Sequence, residues 1–149
     1  MEFNKYNKMG FINASGMTIQ DILDHSGFYT IDSKIEEYSN GLGLGEIGLD
    51  RDVTELSGGQ RAKVLLAKVL LENPMILILD EPTAVLTPKE TENLFNILRN
   101  MRNDGKSIII ITHNGALTAM ADRVIRVRNG TVSSVVKNEC PQNIAEIEW

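Results

Sequence analysis

Leu56-Ser57-Gly58-Gly59-Gln60-Arg61, followed after an apolar helix and Asn73-Pro74 by Met75-Ile76-Leu77-Ile78-Leu79-Asp80-Glu81-Pro82, is the stretch that decides how this chain folds. A Ser-Gly-Gly turn that opens a helix leaves its first N–H groups without intrahelical partners, and the helix dipole adds partial positive charge there. Such a terminus binds anions, phosphate oxygens in particular. Val64, Leu65, Val69 and Leu70 recur at helical spacing among the polar Arg61, Lys63, Lys68 and Glu72, which predicts a helix that Asn73-Pro74 stops. Met75 to Leu79 is apolar without alternation and reads as a strand buried on both faces. Asp80 and Glu81 then stand at its carboxyl end, the edge at which open parallel sheets bind ligands.

These residues carry a resemblance. Leu56-Ser57-Gly58-Gly59-Gln60 resembles the signature motif of ATP-binding cassette (ABC) ATPases, and Ile76 to Thr83 resembles their Walker B strand. The separation of the two is similar to that in the family. Downstream, Ile108-Ile109-Ile110-Ile111-Thr112-His113 resembles the strand ending in the family's switch histidine, the H-loop. Three motifs in order and in register make the likeness specific. It covers Thr18 to Gly130, the latter part of a family domain. The fold class it implies is α/β: a partial P-loop NTPase core with parallel strands, a small helical subdomain and a C-terminal β-hairpin. The chain is expected to be one truncated ABC ATPase domain, 1–149, with a helical subdomain at 14–56, the signature helix and catalytic core half at 57–137, and a tail at 138–149.

Composition sets bounds on that expectation. The 149 residues suffice for one domain with a sizeable core, and 42% hydrophobic with 23% charged is ordinary globular usage. A net charge of -5 gives no electrostatic footprint for nucleic acid, so no nucleic-acid partner is expected. The single Cys140 excludes an intrachain disulfide and fits a reducing compartment. No apolar run approaches the roughly 18 residues that span a bilayer, and the N-terminus lacks a signal-peptide pattern. The expected location is cytoplasmic, peripheral to the inner face of the cell membrane when assembled.

Along the chain, Met9 to Ile12 is a candidate edge strand, while Asn13 and Gln20 read as surface polar residues and leave the family's glutamine-bearing loop unassigned. Thr18 with Asp21 makes a near capping box for a short helix ending at Gly27, with His25 at its end, and a second helix runs from Asp32 to Asn40-Gly41. Gly41, Gly43, Gly45 and Gly48 are read as a flexible turn, since no strand precedes them and no Gly-Lys-Ser/Thr follows. Gly105-Lys106-Ser107 is a second decoy: Asn100 stands where a phosphate loop needs glycine, and the segment runs from helix to strand. Gly105 is instead a helix C-cap. Thr87, Pro88 and Glu90 form a strong helix start, with Leu94, Phe95, Leu98 and Met101 as the apolar stripe.

Ser107 to Thr112 reads as a second strand buried on both faces, delivering His113 to the same sheet edge as Asp80 and Glu81. Ala116 to Ala121 is a short helix. Asp122 to Arg128 and Thr131 to Val136 make a hairpin through Asn129-Gly130, with Arg123, Arg126 and Arg128 on a solvated face. The acidic tail from Asn138 carries Ile144, Ile147 and Trp149 as docking side chains without an evident partner.

The resemblance implies roles. Asp80 would hold Mg2+ on ATP through its hydration shell, Glu81 would orient or deprotonate the attacking water, and His113 would hydrogen-bond the terminal phosphate. Ser57, Gly58, Gly59 and Gln60 would contact the ATP held by another subunit across a head-to-tail dimer. In the D-loop, Ala84 to Thr87, Thr87 replaces the usual aspartate, as in the sugar-importer branch. The sequence contains no Gly-x-x-x-x-Gly-Lys-Ser/Thr, so weak or absent ATP binding by the chain alone is expected. The implied function is a partial ATP-binding and ATP-hydrolysing subunit of an ABC transporter. Its partners would be a second ABC ATPase subunit or a Walker A-bearing half, in a homo- or heterodimer, and a membrane permease. Two other readings stand beside it: a non-catalytic partner lending its signature motif, and a soluble ribosome-associated ABC protein, which Gly59 to Lys68 resembles.

Overall fold

Three of the four α-helix starts among the described residues, at Thr18, Ser57 and Thr87, are written locally and form where their capping residues stand. The structure, a computed structural model, describes residues 18–48 and 50–147, apart from the side chains of His25 and Ser26. The candidate edge strand at Met9 to Ile12, Asn13 and Trp149 lie outside the described residues. The chain divides into two compact units, Met1–Glu37 and Tyr38–Trp149.

In the first unit, Thr18 caps α1 (Ile19–Ser26): its hydroxyl accepts from the Asp21 N–H, and the Asp21 carboxylate accepts from the Thr18 N–H in return. Gly27 closes the helix in the left-handed region, as expected from its position. A 3-10 turn, Phe28–Thr30, follows, with the rings of Phe28 and Tyr29 edge to face at 5.4 Å. Helix α2 (Ile31–Gly41) comes next and carries the chain into the second unit.

The second unit is built on a strand, a crossover helix and a parallel strand. Helix α3 (Gly58–Leu71) leads into β1 (Ile76–Asp80), α4 (Pro88–Asn103) crosses over, and β2 (Ser107–Ile111) pairs parallel with β1. The register sets Ile78 opposite Ile109 and Asp80 opposite Ile111, so both strands end at one edge. Thr87 and Glu90 form the expected reciprocal cap of α4, with Pro88 in its first turn. At the other end, the N–H of Gly105 bonds to Arg102 and that of Lys106 to Met101, a Schellman closure with Gly105 at φ +84.

Leu94, Phe95, Leu98 and Met101 are buried as their spacing predicts, joined by Leu70 of α3 and Leu77 and Leu79 of β1. The expectation that β1 and β2 are buried on both faces is corrected. Ile76 and Ile78 are 64% and 60% exposed, and Ile109 and Ile111 lie open beside them. Only the side that meets α4 is covered; an unbroken apolar run specifies two faces to be covered, and this chain covers one. Leu65 is likewise exposed on α3, where Ala67 and Leu70 face the core.

Beyond β2, residues 115–120 form a 3-10 turn where a short helix was expected, started by the Asn114 side chain accepting from the Ala116 N–H. The hairpin β3 (Arg123–Arg128) and β4 (Thr131–Lys137) turns at Asn129 and Gly130, both with positive φ. A bulge at Arg126/Val127 leaves Ser133 unpaired in the ladder, its hydroxyl donating to the Arg126 carbonyl. The tail returns to the core: Ile144 is 2% exposed against the α4 cluster, and Ile147 packs beside it.

Candidate nucleotide site

The carboxyl ends of β1 and β2 bring three chemically active side chains to one place. Asp80 is the last residue of β1 and is exposed; its carboxylate makes no hydrogen bond or ion pair among the described residues. Glu81 follows at φ 44, a left-handed conformation that disfavours a side chain, and its N–H is held by the Ile111 carbonyl at 2.9 Å. This turn aims the Glu81 carboxylate back at the end of β2. There Oε1 accepts from the His113 N–H at 2.8 Å and meets His113 Nδ1 at 2.7 Å, while Oε2 accepts from the Thr112 hydroxyl at 3.2 Å.

The hydrogen bond from the His113 ring is the largest influence on Glu81. With the His113 N–H and Thr112 it outweighs desolvation and holds the carboxyl below its ordinary pKa. An ionised carboxylate only accepts, which assigns the proton to Nδ1 and leaves Nε2 of the 90%-exposed His113 side chain toward solvent. Glu81 and His113 meet, and Asp80 ends its strand at the same sheet edge, where the sequence places all three. Thr112 is the participant that sequence reasoning passed over. Its signal was available: a hydroxyl one residue before the histidine, at the end of a β-branched strand.

The second predicted group, Ser57 to Gln60, forms the N-terminus of α3. Ser57 Oγ accepts from the Gln60 N–H at 3.2 Å and Gln60 Oε1 from the Ser57 N–H at 2.9 Å, so both side chains are engaged in capping. Arg61 locks the preceding loop by donating to the Leu56 and Thr54 carbonyls. A Cβ on Gly58 or Gly59 would meet nothing within 4 Å, and neither glycine has positive φ. Neither a left-handed backbone nor close packing demands glycine at these two positions. No hydrogen bond or ion pair among the described residues joins this turn to Glu81 or His113. The expected flexible turn at Gly41 to Gly48 is packed instead, with Gly41 ending α2 and Leu42 and Leu44 buried, and in Gly105-Lys106-Ser107 the glycine closes α4 and the serine opens β2.

A lone exposed carboxylate such as that of Asp80 would hold a hydrated Mg2+ through water rather than within a protein cage. Among the described residues no group of three or more His, Cys, Asp or Glu side chains is placed to hold a metal ion. One free carboxylate at a strand end is what a hydrated Mg2+ on a phosphate substrate needs.

Fold and site together describe an α/β unit with two carboxylates and a histidine at the carboxyl edge of a parallel sheet, and comparison with known proteins places its family. The family model described as ABC transporter matches residues 6–84, just over half of the chain, and the chain belongs to that family. An uncharacterized ABC transporter ATP-binding protein, YfmM of Bacillus subtilis (strain 168), is 45% identical over 140 residues, covering 88% of this chain and 26% of that protein. The macrolide export ATP-binding/permease protein MacB of Psychrobacter arcticus (strain DSM 17307 / VKM B-2377 / 273-4) is 31% identical over 138 residues, covering 92% and 21%. A bacterial ABC transporter cassette solved as a dimer superposes at a TM-score of 0.56 with 28% identity, covering 68% of this chain and 46% of that one. The chain therefore spans about a quarter of these two relatives and about half of the solved cassette. Among the described residues no helix is long and apolar enough to cross a membrane.

Proposed function

We propose that this chain is the signature- and Walker B-bearing part of an ABC transporter ATPase, acting at the cytoplasmic face of a membrane with a permease. The observation that carries the reading is the carboxylate of Glu81, aimed by its left-handed backbone and held by His113 and Thr112 beside the free carboxylate of Asp80. Asp80 would hold Mg2+, which when bound neutralises charge on the phosphates of ATP. Glu81 orients the attacking water: with its basicity lowered by His113, it is an acceptor for a water proton before it is a base. His113, almost fully exposed, gives Nδ1–H to Glu81, so Nε2 can donate to the terminal phosphate only when the ring is an imidazolium with both nitrogens protonated. The Ser57 turn supplies Gly58 and Gly59 N–H groups to a phosphate held by a partner subunit, and their lack of any packing duty supports that role.

These 149 residues contain no Gly-x-x-x-x-Gly-Lys-Ser/Thr loop, so the phosphate cradle comes from a second ABC ATPase subunit or a Walker A-bearing half. Calorimetric titration of Mg-ATP tests this. The chain alone gives no saturable heat, and adding an ABC ATPase subunit with an intact Walker A and a disabled Walker B glutamate gives binding that Gly59→Asp in this chain weakens. Tight binding by the chain alone, or a partner's affinity that is blind to Gly59→Asp, refutes the reading.

A further inference from the structure

Three segments of the second unit converge on one carboxylate. Glu90, in the first turn of α4, accepts the Thr87 N–H at 2.9 Å, and the same oxygen accepts Nζ of Lys63 from α3 at 2.6 Å. Both side chains are largely withdrawn from water, at 15% and 16% exposed, so the screening that weakens surface pairs is mostly absent. Burial pushes the Glu90 carboxyl up, but the hydrogen bonds from Lys63 and Thr87 outweigh it and hold the pKa below its ordinary value. The third segment is the glycine-rich turn. Gly43, at φ +69, packs so closely that a Cβ there would overlap Glu90 Oε1, and the Asn93 amide donates to the Gly41 carbonyl at 3.1 Å. This turn has no phosphate-loop context, yet its positive φ requires glycine at 43, and a Cβ there would push the Glu90 carboxylate aside.

We propose that Lys63 and Glu90 are positioning residues whose ion pair, backed by Gly43, fixes the Ser57–Gln60 turn relative to the segment 83–87 that leaves Glu81 and enters α4. This deepens the function proposed above and rests on it for the assignment of both segments to a nucleotide site. The placement supports it. Lys63 lies about one turn past Gln60 on α3, and Glu90 holds the N–H of Thr87 through the same oxygen that receives Lys63. A shift of the α3 start relative to the α4 start would break the Lys63–Glu90 bond, leaving a partly buried charge short of a donor.

Backbone hydrogen exchange on the full chain tests the inference without nucleotide. In Lys63→Met and in Glu90→Gln, whose amide oxygen still accepts the Thr87 N–H, exchange at 57–60 and 83–87 accelerates by roughly tenfold while the α4 core at 94–101 keeps its wild-type rates. Lys63→Arg, retaining a buried donor, restores protection. Unchanged rates at both segments overturn the inference, as does equal acceleration everywhere, which makes the pair a contributor to global stability alone. Should Lys63→Met not fold, Glu90→Gln carries the test. Mg-ATP titration of the wild-type chain with the Walker A-bearing subunit separates the two ideas: absent binding removes the nucleotide reading and leaves the exchange pattern to decide the pair.

Discussion

Glu81 occupies a backbone conformation that costs a side-chain-bearing residue free energy, about 1 kcal/mol, and the three donors around its carboxylate offset that cost. Thr112 is the most separable of these, because its hydroxyl donates to Glu81 and also accepts the Asn114 N–H at 3.1 Å. Thr112→Val keeps the shape and removes both bonds. The expected loss is about 1–2 kcal/mol of stability by urea denaturation. In a partner-complemented assembly ATP turnover should fall with Mg-ATP affinity little changed, and Thr112→Ser should retain both properties. Equal stability of the valine variant would show that Glu81 needs no help from Thr112. Asp80, Glu81 and His113 were legible because strand ends and motif spacing are local patterns. The Lys63–Glu90 pair was not, since 27 residues separate the partners and nothing beside Lys63 tells which carboxylate it meets.

The helices show where local sequence suffices and where it stops. Thr18, Ser57 and Thr87 cap as their neighbours predict, because a capping box is decided within four residues. Which side of a strand is covered depends on what packs there, so the apolar runs of β1 and β2 could not reveal that Ile78 and Ile109 stay exposed. The start of α3 offers a test of a conflict between folding and function. Gly58 and Gly59 lie in a helical first turn with negative φ and open space at each missing Cβ. Gly58→Ala and Gly59→Ala should each raise stability, by up to about 0.5 kcal/mol in chemical denaturation, through helix propensity and a less disordered unfolded state. The same changes should weaken Mg-ATP binding in the partner assembly by hindering approach to the backbone. A loss of stability would mean that the glycines serve the fold after all.

In the second unit α4 lies at the centre of a core shared with α3, β1, β2 and the tail, to which the β3–β4 hairpin contributes no residue. The tail, whose apolar residues had no partner in sequence, is held by Ile144 at 2% exposure. Ile144→Ala should therefore cost about 2–4 kcal/mol in chemical denaturation, as for any fully buried aliphatic residue, whereas an exposed docking side chain would cost little. Acid should act on the same unit through Glu90. Its folded pKa lies below the ordinary 4.5, so native Glu90 stays ionised when the unfolded chain has begun to bind a proton. The stabilisation is fully present above that value and is lost as pH falls through the folded pKa, because below both values the two states bind the same proton. Unfolding free energies measured from pH 7 downward should fall below about 4.5 in wild type. Glu90→Gln, with no proton to bind, should begin lower at neutral pH and decline less steeply. Parallel curves for the two proteins would show that the Lys63–Glu90 charge contributes nothing to holding α3 and α4 together.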